Sequence, residues 1–163
     1  MQSSRSFSFS RAVPGEVPMS KAIACLHEPS NFIGLSPYVI SYHLAPSTEP
    51  SSTAVSKNYV ISDRVNYLPF GLWTGQIDVP VTYTNQEDGV EVVKKPPVGI
   101  TVLERWTLQP PTISNPQHPN VAELVLRAEL HGNSVTLCMV EGIMKKSLES
   151  YIDGMVKVLQ ALE

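Results

Sequence analysis

The stretch Met144–Leu162, MKKSLESYIDGMVKVLQAL, decides the fold. Its apolar residues stand at Met144, Leu148, Tyr151, Ile152, Met155, Val158, Leu159 and Leu162. Steps of three and four are the period of a helix with one buried face. The same steps run back through Ile143 and Val140 to about Thr136. The sequence therefore predicts one C-terminal helix over Thr136–Leu162, ~40 Å long at 1.5 Å per residue.

Upstream the period changes to two, the signature of strands. Phe7 and Phe9 alternate with Ser6, Ser8 and Ser10 in a first strand. Met19, Ala22, Ile23 and Leu26 then repeat as a short amphipathic helix, and Asn31–Pro37 is read as a second helical turn. Six strands follow. They are Tyr38–Leu44, Asn58–Tyr67, Thr74–Thr84, Val90–Lys95, Gly99–Gln109 and Val121–His131. Asp88-Gly89 supplies a hairpin turn, because both positions tolerate positive φ. Ala45–Ser56 and Pro110–Asn120 are loops rich in Ser, Thr and Pro. Strands joined by short turns form an antiparallel sheet, and its apolar face needs a cover. The expected architecture is α+β: about seven strands curved round the terminal helix, in one domain over residues 1–163. A sheet wrapped round one helix leaves room for a cavity.

Composition excludes several functions. The 163 residues carry 12 Lys+Arg against 15 Asp+Glu, a net charge of −3. Nucleic-acid binders need a basic stripe to displace counterions, and polybasic membrane binders need the same. No apolar run approaches the ~20 residues of a membrane span. Phe7 and Phe9 read as a strand rather than a transit peptide, no hydrophobic leader is visible, and a cytoplasmic protein is expected. Cys25 and Cys138 are read as two reduced, buried thiols, with one disulfide as the alternative.

Four pieces carry a family resemblance. They are LHEPSNFIGLSPYV at Leu26–Val39, the Asp88-Gly89 hairpin, GITVLERWTL at Gly99–Leu108, and the terminal helix. With the element order, they make the chain resemble the START/Bet v 1-like superfamily (SRPBCC, polyketide-cyclase type) of helix-grip fold. It is similar to small stand-alone fungal members. The resemblance covers Phe7–Leu162. It implies a deep apolar pocket for a hydrophobic ligand and no shared catalytic residues. Some members carry lipids or hormones, and others are cyclases or pericyclases of natural-product pathways.

The sequence holds no G-x-S-x-G, Walker or G-x-G-x-x-G motif. His27, His43, His118 and His131 are scattered, without metal-ligand spacing, and no metal or cofactor is expected. Candidates for chemistry come from alternation. Asp63 shares a face with Tyr59, Ile61, Val65 and Tyr67. Glu104 shares one with Ile100, Val102, Trp106 and Leu108. A carboxyl desolvated in an apolar pocket has a raised pKa and can transfer a proton. The alternatives are a salt bridge with Arg64 for Asp63 and an outward pairing with Arg105 for Glu104. Tyr59, Trp73, Tyr83, Trp106 and Tyr151 are candidate pocket-lining or core aromatics. On the helix, Ile143, Ser147, Tyr151 and Gly154 form a stripe with small members. Gly154 leaves room either for a ligand or for close packing.

Three functions fit. The first is a cofactor-independent cyclase or pericyclase (Diels-Alderase-like) that folds a hydrophobic polyketide or terpenoid precursor, since orientation alone supplies much of such a rate. The second is a carrier or sensor of a lipid- or hormone-like ligand. The third is an adaptor with a collapsed cavity. The expected partner is a hydrophobic small molecule, with no nucleic acid and no membrane span, and the chain is expected to be a monomer or homodimer.

Overall fold

The computed structural model describes residues 2–13, 17–46, 56–66, 74–110 and 122–162. Strand β1 is Gln2–Val13. Helices α1, Met19–Leu26, and α2, Pro29–Ile33, follow. Then come β2 (Val39–Leu44), β3 (Ser56–Asn66), β4 (Thr74–Gln86), β5 (Gly89–Lys94), β6 (Thr101–Gln109) and β7 (Ala122–Asn133). Helix α3, Ser134–Gln160, closes the chain. The seven strands form one antiparallel sheet in the order β1-β7-β6-β5-β4-β3-β2. This is the expected order of elements, with the ends moved by a few residues.

Alternation sets the two faces of the sheet. Val102, Glu104, Trp106 and Leu108 of β6 turn inward beside Leu124, Leu126, Ala128 and Leu130 of β7, and all eight are buried. On α3 the buried stripe is Leu137, Leu148, Ile152, Met155 and Leu159. The helix starts where Asn133 accepts a 2.8 Å hydrogen bond from the Thr136 backbone N–H. That side chain satisfies one of the orphan donors of the first turn. The helix lies against β1 and β7. Arg11 of β1 reaches Asp153 at 2.8 Å and Glu149 at 3.5 Å, and Arg5 reaches Glu141 at 3.1 Å. These pairs are exposed, so each fixes geometry more than stability.

Two glycines answer to close approach. A Cβ at Gly89 would lie 1.9 Å from the Trp106 carbonyl oxygen, so the start of β5 needs glycine for the close approach of β6 and not, as expected, for a positive φ in the turn. A Cβ at Gly154 would meet Leu35 Cδ2 at 3.0 Å. Of the two readings of Gly154, close packing of α3 on the chain after α2 is the one realised.

Three expectations change. Ile143 is 69% exposed, on the side of α3 away from the sheet, together with Val135 and Met139. Cys138 is exposed as well, while Cys25 is buried, and both thiols are free. Glu104 faces inward, so of its two readings the cavity-facing one is realised and not the outward pairing with Arg105. Trp106 is wholly buried, but it packs edge-on against Phe32 at 5.2 Å between ring centres rather than lining open space. Trp73 and Tyr67 lie outside the described residues, as do most of the two Pro-rich loops.

Candidate functional site

A cavity of about 190 Å³ lies between the concave face of the sheet and helices α2 and α3. Most of its wall is apolar. Ile61, Val79, Val81, Val92 and Val102 come from the sheet, Phe32 and Ile33 from α2, and Leu148 from α3. A water needs ~10–15 Å³, and a dry cavity of ~150 Å³ accepts benzene. This space therefore takes one ring and a few more atoms.

Ionisable groups break the apolar wall on three adjacent strands and the strand beyond them. Asp63 comes from β3, Tyr83 from β4, Lys94 from β5 and Glu104 from β6. Tyr151 and Ser147 of α3, and Ser36 after α2, add to the polar lining. Register explains the meeting of Lys94 and Glu104. Lys94 pairs with Val102 and Glu104 with Val92, so the two charges are diagonal neighbours across β5 and β6. Lys94 Nζ donates to Glu104 Oε1 at 2.5 Å, and Trp106 Nε1 donates to Glu104 Oε2 at 3.1 Å. Both oxygens of a carboxylate that is 1% exposed are thereby engaged. A buried charge requires this much pairing. Lys94 Nζ also stands 5.1 Å from the centre of the Tyr151 ring, a cation–π contact.

The electrostatics follow from this placement. Burial is the largest single influence on Lys94 and would lower its pKa, but the Glu104 charge and hydrogen bond, with Tyr151 and Asp63, together outweigh it and hold the ammonium above its ordinary value. Burial pushes the Tyr83 hydroxyl well up, helped by the Glu104 charge. Burial also raises Asp63, and the Lys94 charge offsets only part of that. One oxygen of Asp63, Oδ1, is buried with no hydrogen-bond partner among the described residues. An orphaned acceptor of this kind costs about 1–3 kcal/mol.

The expected site residues divide cleanly. Asp63, Glu104, Tyr83, Tyr151 and Ser147 line one cavity. Tyr59 is outside the lining but shares its sheet face, paired with Val81 and edge-on to Tyr83 at 5.9 Å. Trp106 reaches the site only through its bond to Glu104, and Ile143 does not reach it. Sequence reasoning missed Lys94. The signal was present in β5, where Val90, Val92 and Lys94 alternate onto one face. Among the described residues no three His, Cys, Asp or Glu side chains converge as a metal cluster, and no helix is long and apolar enough to cross a membrane.

A family model described as "Domain of unknown function (DUF7053)" matches residues 2–161. The chain belongs to the DUF7053 family. No curated protein matches the DUF7053 chain. Solved structures do. A truncated norcoclaurine synthase from Thalictrum flavum is similar at TM-score 0.63 and 10% identity, covering 97% of this chain and 94% of its own. A point mutant of that Thalictrum enzyme, in complex with a transition-state analogue, gives 0.61 and 11%, covering 98% and 96%. An uncharacterised protein from Rhizobium leguminosarum gives 0.57 and 10%, covering 99% of each chain. At these identities the likeness shows the fold, which is the Bet v 1-like helix-grip fold. The DUF7053 chain thus has the superfamily architecture that its sequence resembled.

Proposed function

We propose that this protein is a cofactor-independent cyclase acting on a compact, mainly apolar carbonyl compound of polyketide or terpenoid type. The observation that carries the reading is the Lys94–Glu104 pair set in an apolar cavity beside the unpartnered oxygen of Asp63. A container for an inert lipid has no use for a buried ion pair and an unpartnered carboxyl on its wall, held at the cost of burial. A catalyst does.

Each group has a role. Lys94 is fixed by Glu104 and by the Tyr151 ring, and stays an ammonium. It donates to the substrate carbonyl oxygen, where negative charge develops as the adjacent carbon loses a proton. Asp63 accepts that proton. Its raised pKa brings it nearer the pH at which a carboxylate is an effective base. Glu104 has both oxygens occupied, so it suits a positioning role better than proton transfer. The enolate carbon then attacks a second carbonyl of the folded substrate. One carbon–carbon bond forms, the carbon–oxygen π bond opens, and the new alkoxide takes the proton back from Asp63. The apolar wall holds the chain bent, which supplies the effective concentration. The same donor also activates the carbonyl of a pericyclic substrate, where no base is needed.

The test is incubation with a linear aryl polyketone. Ring closure should depend on the protein and fall about 10²–10⁴-fold in Lys94→Met. Binding of the polyketone without any product, in a folded protein, would make the chain a carrier and overturn the proposal.

A further inference from the structure

We infer that the exposed apolar apron at the β2 edge, formed by Tyr42, Leu44 and Tyr59, is a second subsite that holds the alkyl tail of the cavity's ligand. The inference rests on the proposed function for the head of that ligand and extends it to a substrate class: a carbonyl or aryl-ketone head with a linear apolar tail.

Strand register carries the argument. Leu44 pairs with Tyr59, Tyr59 with Val81, and Val81 with Lys94. Directly paired residues share a face of a sheet. One row of side chains therefore runs from the open edge across four strands to the cavity ammonium, three strand spacings or about 14 Å. The next row is Tyr42, Ile61 and Val79, whose last two members line the cavity. The apron is thus on the concave face, and it is continuous with the cavity wall. The register shift between Val39 and Ser41 is what turns Tyr42 to that face.

Ring contacts trace the same path. Tyr42 lies 6.1 Å from Tyr59, Tyr59 lies 5.9 Å from Tyr83, and Tyr83 lies 5.9 Å from Phe32, both of the last two being cavity residues. Yet Tyr42 is 48% exposed and Leu44 is 64% exposed. Helix α3 packs on β1 and β7, at the opposite edge of the sheet from β2. Among the described residues the apolar concave face continues past its cover. Size completes the case. A cavity of about 190 Å³ holds one ring and a few atoms, so the tail of any longer ligand must leave it, and this row offers it an apolar surface continuous with the cavity wall.

The experiment uses the full chain and phenyl alkyl ketones with chains of two to about twelve carbons, some carrying a terminal diazirine. Affinity should rise about three- to fourfold per added methylene through the long members, the value for burying apolar chain. Photolabelling by the long diazirine ketone should map to Tyr42–Leu44 or Tyr59. The double variant Tyr42→Ser, Leu44→Ser should keep a cooperative thermal transition, since both side chains are largely exposed, and should flatten the affinity slope beyond the shortest chains. A slope already flat in the natural protein, a slope unchanged in the variant, or labelling elsewhere or nowhere would overturn the inference. So would a dimer that dissociates in the variant, because the apron would then be a subunit interface. Failure of the proposed function looks different: the shortest ketone would show no preference for natural protein over Lys94→Met, while long-chain labelling at β2 persisted.

Discussion

Lys94 Nζ and Glu104 Oε1 lie 2.5 Å apart, diagonal across β5 and β6, with Glu104 almost wholly buried and the Lys94 side chain 23% exposed. Removing one partner of such a pair leaves the other charge unpaired. Glu104→Gln should therefore cost about 3 kcal/mol in urea unfolding, the low end for a buried pair because Lys94 keeps some water. The pH sign follows from the raised pKa of Lys94. A base with a pKa raised in the folded state stabilises fully below its unfolded pKa, near 10.4, and loses that stabilisation as pH climbs through the folded value. The stability gap between natural protein and Lys94→Met should accordingly narrow only above about pH 10.

Asp63 should behave in the opposite sense to a salt-bridged carboxylate. Its folded pKa is raised, so ionising it costs stability as pH rises through that pKa. Asp63→Leu removes both the buried charge and the orphaned Oδ1. Urea unfolding near pH 7 should show a gain of about 1–2 kcal/mol, and polyketone closure should be lost. The gain should shrink as the pH falls through the raised pKa of Asp63, where the natural protein takes up that proton.

The two large aromatics at the site should separate core from lining. Trp106 is fully buried and donates to Glu104, so Trp106→Ala should cost about 3–5 kcal/mol. Tyr151 is only partly buried and already borders open space. Tyr151→Ala should lose distinctly less stability and distinctly more ketone affinity per folded molecule. Equal losses of stability at both positions would remove Tyr151 from the site.

Glycine substitutions should split by what a methyl would meet. Gly142→Ala is free of contacts, and the helix should gain about 1 kcal/mol. Gly89→Ala places a Cβ on the Trp106 carbonyl and should destabilise by at least about 3 kcal/mol, as read by thermal unfolding.

The sequence made most of the fold legible because each element has a strong period. The β6 alternation put Glu104 inside, and the β3 alternation put Asp63 beside Tyr59 and Ile61. Lys94 escaped because a lysine followed by Lys95-Pro96-Pro97 resembles a fraying strand end. Only the β5–β6 register reveals that a buried carboxylate stands diagonally across from it. Ile143 misled because the first half of α3 carries apolar residues on two faces. Met144 lines the cavity, while Val135, Met139 and Ile143 face away. Periodicity finds a stripe, and packing chooses between two. Trp106 was placed on the correct face of β6, but Phe32 of α2 covers it, which no pattern within β6 can report.

The central claim is that Asp63 moves a proton next to a carbonyl that the Lys94 ammonium polarises in the cavity. The most direct measurement is exchange of the methyl protons of acetophenone for deuterium in D₂O, followed by proton NMR at constant protein concentration. The natural protein should accelerate exchange well above buffer, and folded Lys94→Met and Asp63→Leu should each lose that acceleration about 10²–10⁴-fold. Exchange no faster than buffer, or undiminished in both folded variants, would contradict the account.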